Sequence, residues 1–215
     1  MKVDRASMLL YAVTDRTWLK GRSFIDVIEE ALKAGVTFLQ LREKNLDYSS
    51  FLTLAREIKK VVDKYKIPYV INDNVDIALA CGADGVHVGQ KDMDAKDVRK
   101  IIGPDKILGV SAQTVEQAVA AERNGADYIG VGSVFPTSTK PDAETVSFET
   151  LREICKSVSI PVVAIGGINK DNAMKLAGSE IDGIAVVSAI FAQDDIAASV
   201  RELRQVASRV VNQKS

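Results

Sequence analysis

One repeated unit constrains the fold of this 215-residue chain more than any other feature. A helical stretch with small residues ends in glycine, a polar link follows, and a short apolar strand comes next. It reads IEEALKAGVTFLQLR, then DIALACGADGVHVG, then QAVAAERNGADYIGVG, and with a longer link NAMKLAGSEIDGIAVVS. Gly35, Gly82, Gly125 and Gly178 supply the left-handed residue that closes a helix. The strands after them are apolar on both faces, as parallel strands covered by helices must be. Further strands, KIPYVIND, KILGVSAQT and SIPVVAIGGIN, each follow a helical pattern. Strands are expected near 8–14, 37–41, 68–72, 84–88, 106–111, 127–132, 161–166 and 182–187. Helices are expected at 23–34, 48–65, 74–81, 94–102, 114–124, 147–157, 170–177 and 194–211. Strict alternation implies a parallel sheet. Eight units in this length predict a single (β/α)8 TIM barrel over residues 1–215; an open doubly wound sheet is the rival.

Composition narrows the function classes. The 28 basic and 29 acidic side chains nearly cancel, and no basic tail exists, so no net field draws the chain to nucleic acid. The apolar runs are too short to span a bilayer. MKVDRASMLLYAVTD has charge before an apolar run, but that run is short for a signal sequence and has no A-x-A-like site. The two cysteines, Cys81 and Cys155, lie far apart and form no CxxC; a cytoplasmic, reducing location and core-packing roles are expected. Self-association is left open.

A barrel carries its chemistry at the C-terminal ends of its strands. The residues expected there are Thr14 and Asp15, Gln40 to Lys44, Asn72 and Asp73, His87 to Asp92, Ser111, Ser133 to Lys140, Gly166 and Gly167, and Val187 and Ser188. The segment VFPTSTKP, 134–141, is the most unusual of them. It sets three hydroxyls and a lysine between Pro136 and Pro141, which restrict its backbone, directly after a buried strand.

Each group has a bland and a functional reading. Gly166 and Gly167 can form a tight turn. Together with Ser188 they also match the phosphate site that barrels build after strands seven and eight. Asp73 and Asp92 can each cap the following helix. As carboxylates on neighbouring strand ends they can share Mg²⁺, which keeps waters and completes its shell with substrate phosphates. Asp94 is the better cap for the fourth helix, which frees Asp92. Arg42, Lys44 and Lys140 can be solvated loop charges, or can stabilise a departing diphosphate. His87, the single histidine, shows no spacing of a nucleophilic triad, and a zinc cluster of ordinary type is excluded.

Seven motifs in register, QLREK, IND, VHVGQKD, GVSAQT, VFPTSTK, AIGGI and VVSAI, resemble the thiamine-phosphate synthase (thiamine-phosphate pyrophosphorylase) family over nearly the whole chain. The resemblance implies a Mg²⁺-dependent transferase with two small-molecule substrates. It joins a hydroxymethylpyrimidine diphosphate to a thiazole phosphate and releases diphosphate. It implies that Gln40, Leu41, Arg42, Glu43, Lys44, Asn72, Ser111 and Lys140 bind the pyrimidine diphosphate, with Arg42, Lys44, Ser111 and Lys140 catalytic. It implies that Asp73 and Asp92 hold Mg²⁺. Thr137, Ser138, Thr139, Gly166, Val187 and Ser188 would hold the thiazole phosphate, largely through backbone groups. No residue has the setting of a covalent nucleophile. A dissociative displacement is expected, because the pyrimidine amine can stabilise a cationic methylene, with inline displacement as the alternative. Gln113 stands where many relatives carry histidine. The alternatives are a thiazole tautomerase of the same fold, which is expected to need that histidine, and a non-catalytic phosphate-binding barrel.

Overall fold

The computed structural model describes residues 3–137 and 145–213. Its strands are Leu10–Val13 (β1), Phe38–Leu41 (β2), Tyr69–Asn72 (β3), Gly85–Val88 (β4), Ile107–Ala112 (β5), Tyr128–Val131 (β6), Val162–Ile165 (β7) and Gly183–Val186 (β8). Every neighbouring pair is parallel and β8 returns to pair with β1, so the sheet closes into a barrel. The open-sheet rival is thereby excluded.

Alternation along each strand separates two cores. Leu10, Ala12, Leu39, Leu41, Tyr69 and Ile71 point outward and pack under the helices. Tyr11, Val13, Phe38, Val70, Ile107, Tyr128, Val163 and Ala185 fill the barrel, with Met8 among them. Each fully buried aliphatic side chain contributes about 2 kcal/mol, so both faces must be apolar and the strands lose the polar alternation of a half-exposed sheet.

The helices are Phe24–Ala34 (α1), Tyr48–Tyr65 (α2), Val75–Ala80 (α3), Ala95–Ile102 (α4), Val115–Arg123 (α5), Phe148–Ser157 (α6), Ser188–Phe191 (α7) and Ile196–Asn212 (α8). Side chains of Ser23, Asp47, Asn74, Asp94, Thr114, Ser147 and Asp195 each accept a backbone N–H in the first turn of α1 to α6 and α8. Such a cap contributes about 1 kcal/mol. These caps lie at the rim where the strands end, so part of its polarity belongs to the fold. Asp47, Asp94 and Asp195 are committed to caps; Asp73 and Asp92 are not.

The structure departs from expectation in three places. Strand one was expected from residue 8, but Arg5–Met8 form a 3-10 turn. The chain there passes so close to β8 that a Cβ on Gly183 would lie 1.8 Å from the Met8 carbonyl oxygen. The helix expected at 170–177 is a 3-10 turn, Ala173–Leu176. Asn169 Oδ1 takes the N–H groups of Asp171 and Asn172, and Asn172 Oδ1 takes that of Asn169, so side chains compete with helical bonds. Third, the short helix α7 follows β8 directly, where only a strand end was expected.

Candidate active site

At the end of β3 the backbone of Asp73 is left-handed, φ 61°. Asn74, not Asp73, caps α3: its Oδ1 accepts the Ile77 N–H at 2.9 Å. Asp73 Oδ2 instead meets Lys44 Nζ at 2.6 Å. Asp92 sits in the turn after β4, where its Oδ2 accepts the Gly89 N–H at 2.7 Å. Burial pushes the Asp92 carboxyl above its ordinary pKa; a hydrogen bond and the negative charge of Asp73 add to the shift. The two carboxyls therefore share one site, with Lys44 beside them. The helix-cap readings fail for both, since Asp94 caps α4. No group of three or more carboxylate, histidine or cysteine ligands occurs among the described residues. Two adjacent carboxylates, one with its proton affinity raised by burial and by the other's charge, fit a cation that takes few protein ligands, as Mg²⁺ does.

The residues from Gln40 to Lys44 go to different partners. Gln40 points into the barrel, and its Nε2 donates to Tyr11 Oη at 2.6 Å. Leu41 is fully buried in the outer core, so only its backbone can meet a ligand. The Arg42 N–H donates to Thr14 Oγ1 at 3.0 Å, and its guanidinium lies 4.0 Å from Asp15. Glu43 is paired with Arg16 at 3.0 Å and its side chain is 5% exposed; partial burial pushes its carboxyl up and the Arg16 charge opposes that. Lys44 alone of the five reaches the carboxylate pair.

Asn72 and Ser111 are placed as expected. Asn72 ends β3 opposite His87, and Ser111 lies on β5 beside Gly130. His87 needs a correction. It does sit against a serine, with Nε2 2.9 Å from Ser111 Oγ. Its Nδ1 faces the Tyr128 hydroxyl at 2.8 Å and not a carboxylate, so the orienting acid of a nucleophilic triad is missing from that position. Sequence reasoning missed this cluster. Its signal was the pair of strand glycines, Gly109 and Gly130, which mark close approach of another group.

Across the barrel, Gly166 and Gly167 have φ of 104° and 62°. A Cβ on Gly166 would lie 2.1 Å from Ser133 Oγ, and one on Gly167 2.4 Å from the Pro136 carbonyl oxygen. These glycines thus admit the loop after β6. That loop extends the sheet through Val134 N–H to the Ile165 carbonyl oxygen at 3.0 Å and Phe135 N–H to that of Gly166 at 3.1 Å. It closes at its base, where the Val146 N–H meets the Ser133 carbonyl oxygen at 2.7 Å. Thr137 is half-buried on it. Ser138, Thr139, Lys140 and Pro141 lie outside the described residues. Val187 precedes α7 with no capping side-chain bond, and exposed Ser188 begins it. The first N–H groups of α7 therefore have no intrahelical acceptor. Cys81 and Cys155 form no disulfide; Cys81 is buried, as its core role requires.

Fold and rim together define a (β/α)8-barrel enzyme with its polar groups gathered at the C-terminal ends of the strands. Residues 10–190 match the family described as thiamine monophosphate synthase. The chain is 57% identical over 194 residues to the thiamine-phosphate synthase of Clostridium tetani, covering 90% of this chain and 93% of that protein. It is 53% identical over 193 residues to that of Clostridioides difficile, covering 90% and 92%. Among solved structures it is similar to a thiamine phosphate pyrophosphorylase from Pyrococcus furiosus. That match has a TM-score of 0.88 and 40% identity, and covers 96% of this chain and 98% of that one. The chain belongs to the thiamine monophosphate synthase family, whose members are transferases.

Proposed function

We propose that this rim joins a hydroxymethylpyrimidine diphosphate to a thiazole phosphate, giving thiamine phosphate and diphosphate. The observation that carries the reading is the meeting of Lys44, Asp73 and the carboxyl of Asp92 at the ends of adjacent strands. It occurs in a chain at least half identical to thiamine-phosphate synthases.

Asp73 and Asp92 hold Mg²⁺, which when bound neutralises charge on the diphosphate. Arg42, Lys44 and Lys140 bind the same group and favour its departure, because its charge grows as the bond breaks. Gln40, Asn72 and Ser111 hold the pyrimidine, with the backbone of Leu41 and Glu43 beside it. The C–O electron pair leaves with the diphosphate. The ring amine stabilises the methylene cation left behind, and the lone pair of the thiazole nitrogen closes the new C–N bond. Neither step needs a covalent nucleophile from the protein.

Thiazole phosphate binds opposite, on the first turn of α7 through Val187 and Ser188, on Gly166, and on Thr137, Ser138 and Thr139. The loop after β6 carries residues for both substrates, which fixes the nitrogen relative to the carbon it attacks. The two small molecules are the partners, and the cytoplasm is the setting. No helix among the described residues is long and apolar enough to cross a membrane. Gln113, where the tautomerase reading needs a histidine, and the acidic pair both favour the synthase.

The test is diphosphate release with both substrates, with and without Mg²⁺. Release that needs all three supports the reading. Thiazole phosphate binding with no release would leave a binding barrel, and isomerisation of a thiazole without release would leave the tautomerase.

A further inference from the structure

Side chains from five strands form one hydrogen-bonded chain through the barrel. Gln40 Nε2 (β2) lies 2.6 Å from Tyr11 Oη (β1), which lies 2.7 Å from Tyr128 Oη (β6). Tyr128 lies 2.8 Å from His87 Nδ1 (β4), whose Nε2 lies 2.9 Å from Ser111 Oγ (β5). Barrel interiors are usually filled by branched aliphatic residues. Buried hydroxyls and imidazoles are costly there unless every partner is in place. Both tyrosines are about fully buried, and burial keeps their phenols protonated.

The barrel makes room for this chain. Gly109 pairs with His87 on one side and Tyr128 on the other, so the two rings meet over it. A Cβ on Gly109 would lie 2.2 Å from Tyr128 Cζ and 2.5 Å from His87 Nδ1. One on Gly130 would lie 3.2 Å from His87 Cε1.

The chain has a direction. An amide nitrogen can only donate, so Gln40 gives a hydrogen to Tyr11. Each hydroxyl has one hydrogen, so a chain that starts at Gln40 is satisfied throughout when Tyr11 donates to Tyr128, Tyr128 to His87 Nδ1, and an Nε2–H of His87 to Ser111 Oγ. Two consequences appear at the ends. Gln40 keeps its carbonyl oxygen for other contacts, and Ser111 keeps its hydroxyl hydrogen.

We propose that Tyr128, with Tyr11 and His87, is a positioning residue for the pyrimidine: the chain holds an acceptor at Gln40 and a donor at Ser111. An aminopyrimidine offers the complement, an amine donor and ring-nitrogen acceptors. The proposal rests on the assignment of Gln40 and Ser111 to that substrate. As the C–O bond breaks, positive charge spreads to the amine and makes its N–H a stronger donor. An acceptor fixed at Gln40 then gains strength in the transition state. With the chain cut, the Gln40 amide is free to turn over and present N–H groups instead.

Tyr128→Phe removes one hydroxyl and keeps the ring. It is expected to lower kcat about tenfold, with the KM for thiazole phosphate unchanged. In a Ser111→Ala background the same substitution should cost less than it does in the wild type, because one end of the chain is already lost. Tyr11→Phe cuts the chain one bond further on and should reproduce the kcat effect if Tyr128→Phe does not fold by thermal melt. A Tyr128→Phe enzyme at the wild-type rate, or costs that multiply in full in the double variant, would overturn the proposal. Full activity in Ser111→Ala would overturn the assignment of Ser111 and the proposal with it. A slow Ser111→Ala beside a wild-type Tyr128→Phe would overturn the proposal alone.

Discussion

Lys44 Nζ lies 2.6 Å from Asp73 Oδ2, joining the loop after β2 to the end of β3. Half of the lysine side chain is exposed, and a pair of that kind contributes about 0–1 kcal/mol to stability. Its value lies in placing a cation where a metal and a diphosphate would also sit. Lys44→Met should leave the melting temperature nearly unchanged. It should tighten Mg²⁺ binding about fivefold, since removing a like charge at the surface gains about 1 kcal/mol. Turnover should nevertheless fall about a hundredfold, because the lysine meets charge that grows on the leaving group. Mg²⁺ titration followed by thermal melt, beside a diphosphate-release assay, separates the two effects. Weaker Mg²⁺ binding in the variant would contradict this account of Lys44.

The carboxylate pair gives a prediction of opposite sign for stability and activity. A raised carboxyl pKa in the folded protein means that ionised Asp92 disfavours folding once pH exceeds the ordinary carboxylate range. Without Mg²⁺ at neutral pH, Asp73→Asn relieves the charge repulsion. Asparagine also tolerates the left-handed backbone at this position. The variant should therefore melt no lower than the wild type, and turnover should be abolished. Mg²⁺ should raise the melting temperature of the wild type by mass action but not that of Asp73→Asn or Asp92→Asn. An undiminished Mg²⁺ effect in either variant would remove that aspartate from the metal site.

Strand and helix order were legible because each obeys a local rule. Parallel strands under helices must be apolar throughout, and Gly35, Gly82, Gly125 and Gly178 mark helix ends with positive φ. The rim followed from the barrel, which turns strand ends into a list of candidates. What the sequence hid was contact between strands. His87, Ser111 and Tyr128 lie in separate units and meet only because the register sets Gly109 between two of them. Likewise, Leu41 and Glu43 sit within the QLREK motif yet turn away into the core and toward Arg16. The shortened seventh helix depended on Asn169 and Asn172 bonding each other's backbone, a competition that periodicity does not register.

Ser188 tests the division of the site between two substrates. It is exposed at the start of α7, whose first turn leaves N–H groups without intrahelical acceptors. Ser188→Asp puts a carboxylate where an incoming phosphate would bind. The KM for thiazole phosphate should rise about tenfold or more, while that for the pyrimidine diphosphate should stay near its wild-type value. Steady-state kinetics with each substrate varied in turn gives both constants. Equal rises would mean that α7 does not serve one substrate's phosphate.

Gly109→Ala probes how tightly the barrel interior is built around His87 and Tyr128. The added methyl would meet Tyr128 Cζ at 2.2 Å, Tyr128 Oη at 2.3 Å and His87 Nδ1 at 2.5 Å. None of these atoms is the far end of a flexible chain. One belongs to an imidazole held at both nitrogens, and two to a phenol packed edge-on against Tyr11 and Phe38. Overpacking at such a position costs about 1–3 kcal/mol, and moving the rings breaks hydrogen bonds as well. The melting temperature should therefore fall by several degrees, and the activity left in the folded fraction should fall with it. Gly82→Ala is the control: its positive φ carries a backbone cost, but nothing lies within 4 Å of the added Cβ. It should lose stability while activity per folded molecule is retained. If Gly109→Ala behaves as Gly82→Ala does, the rings over β5 are free to yield, and the close packing deduced from the register is wrong.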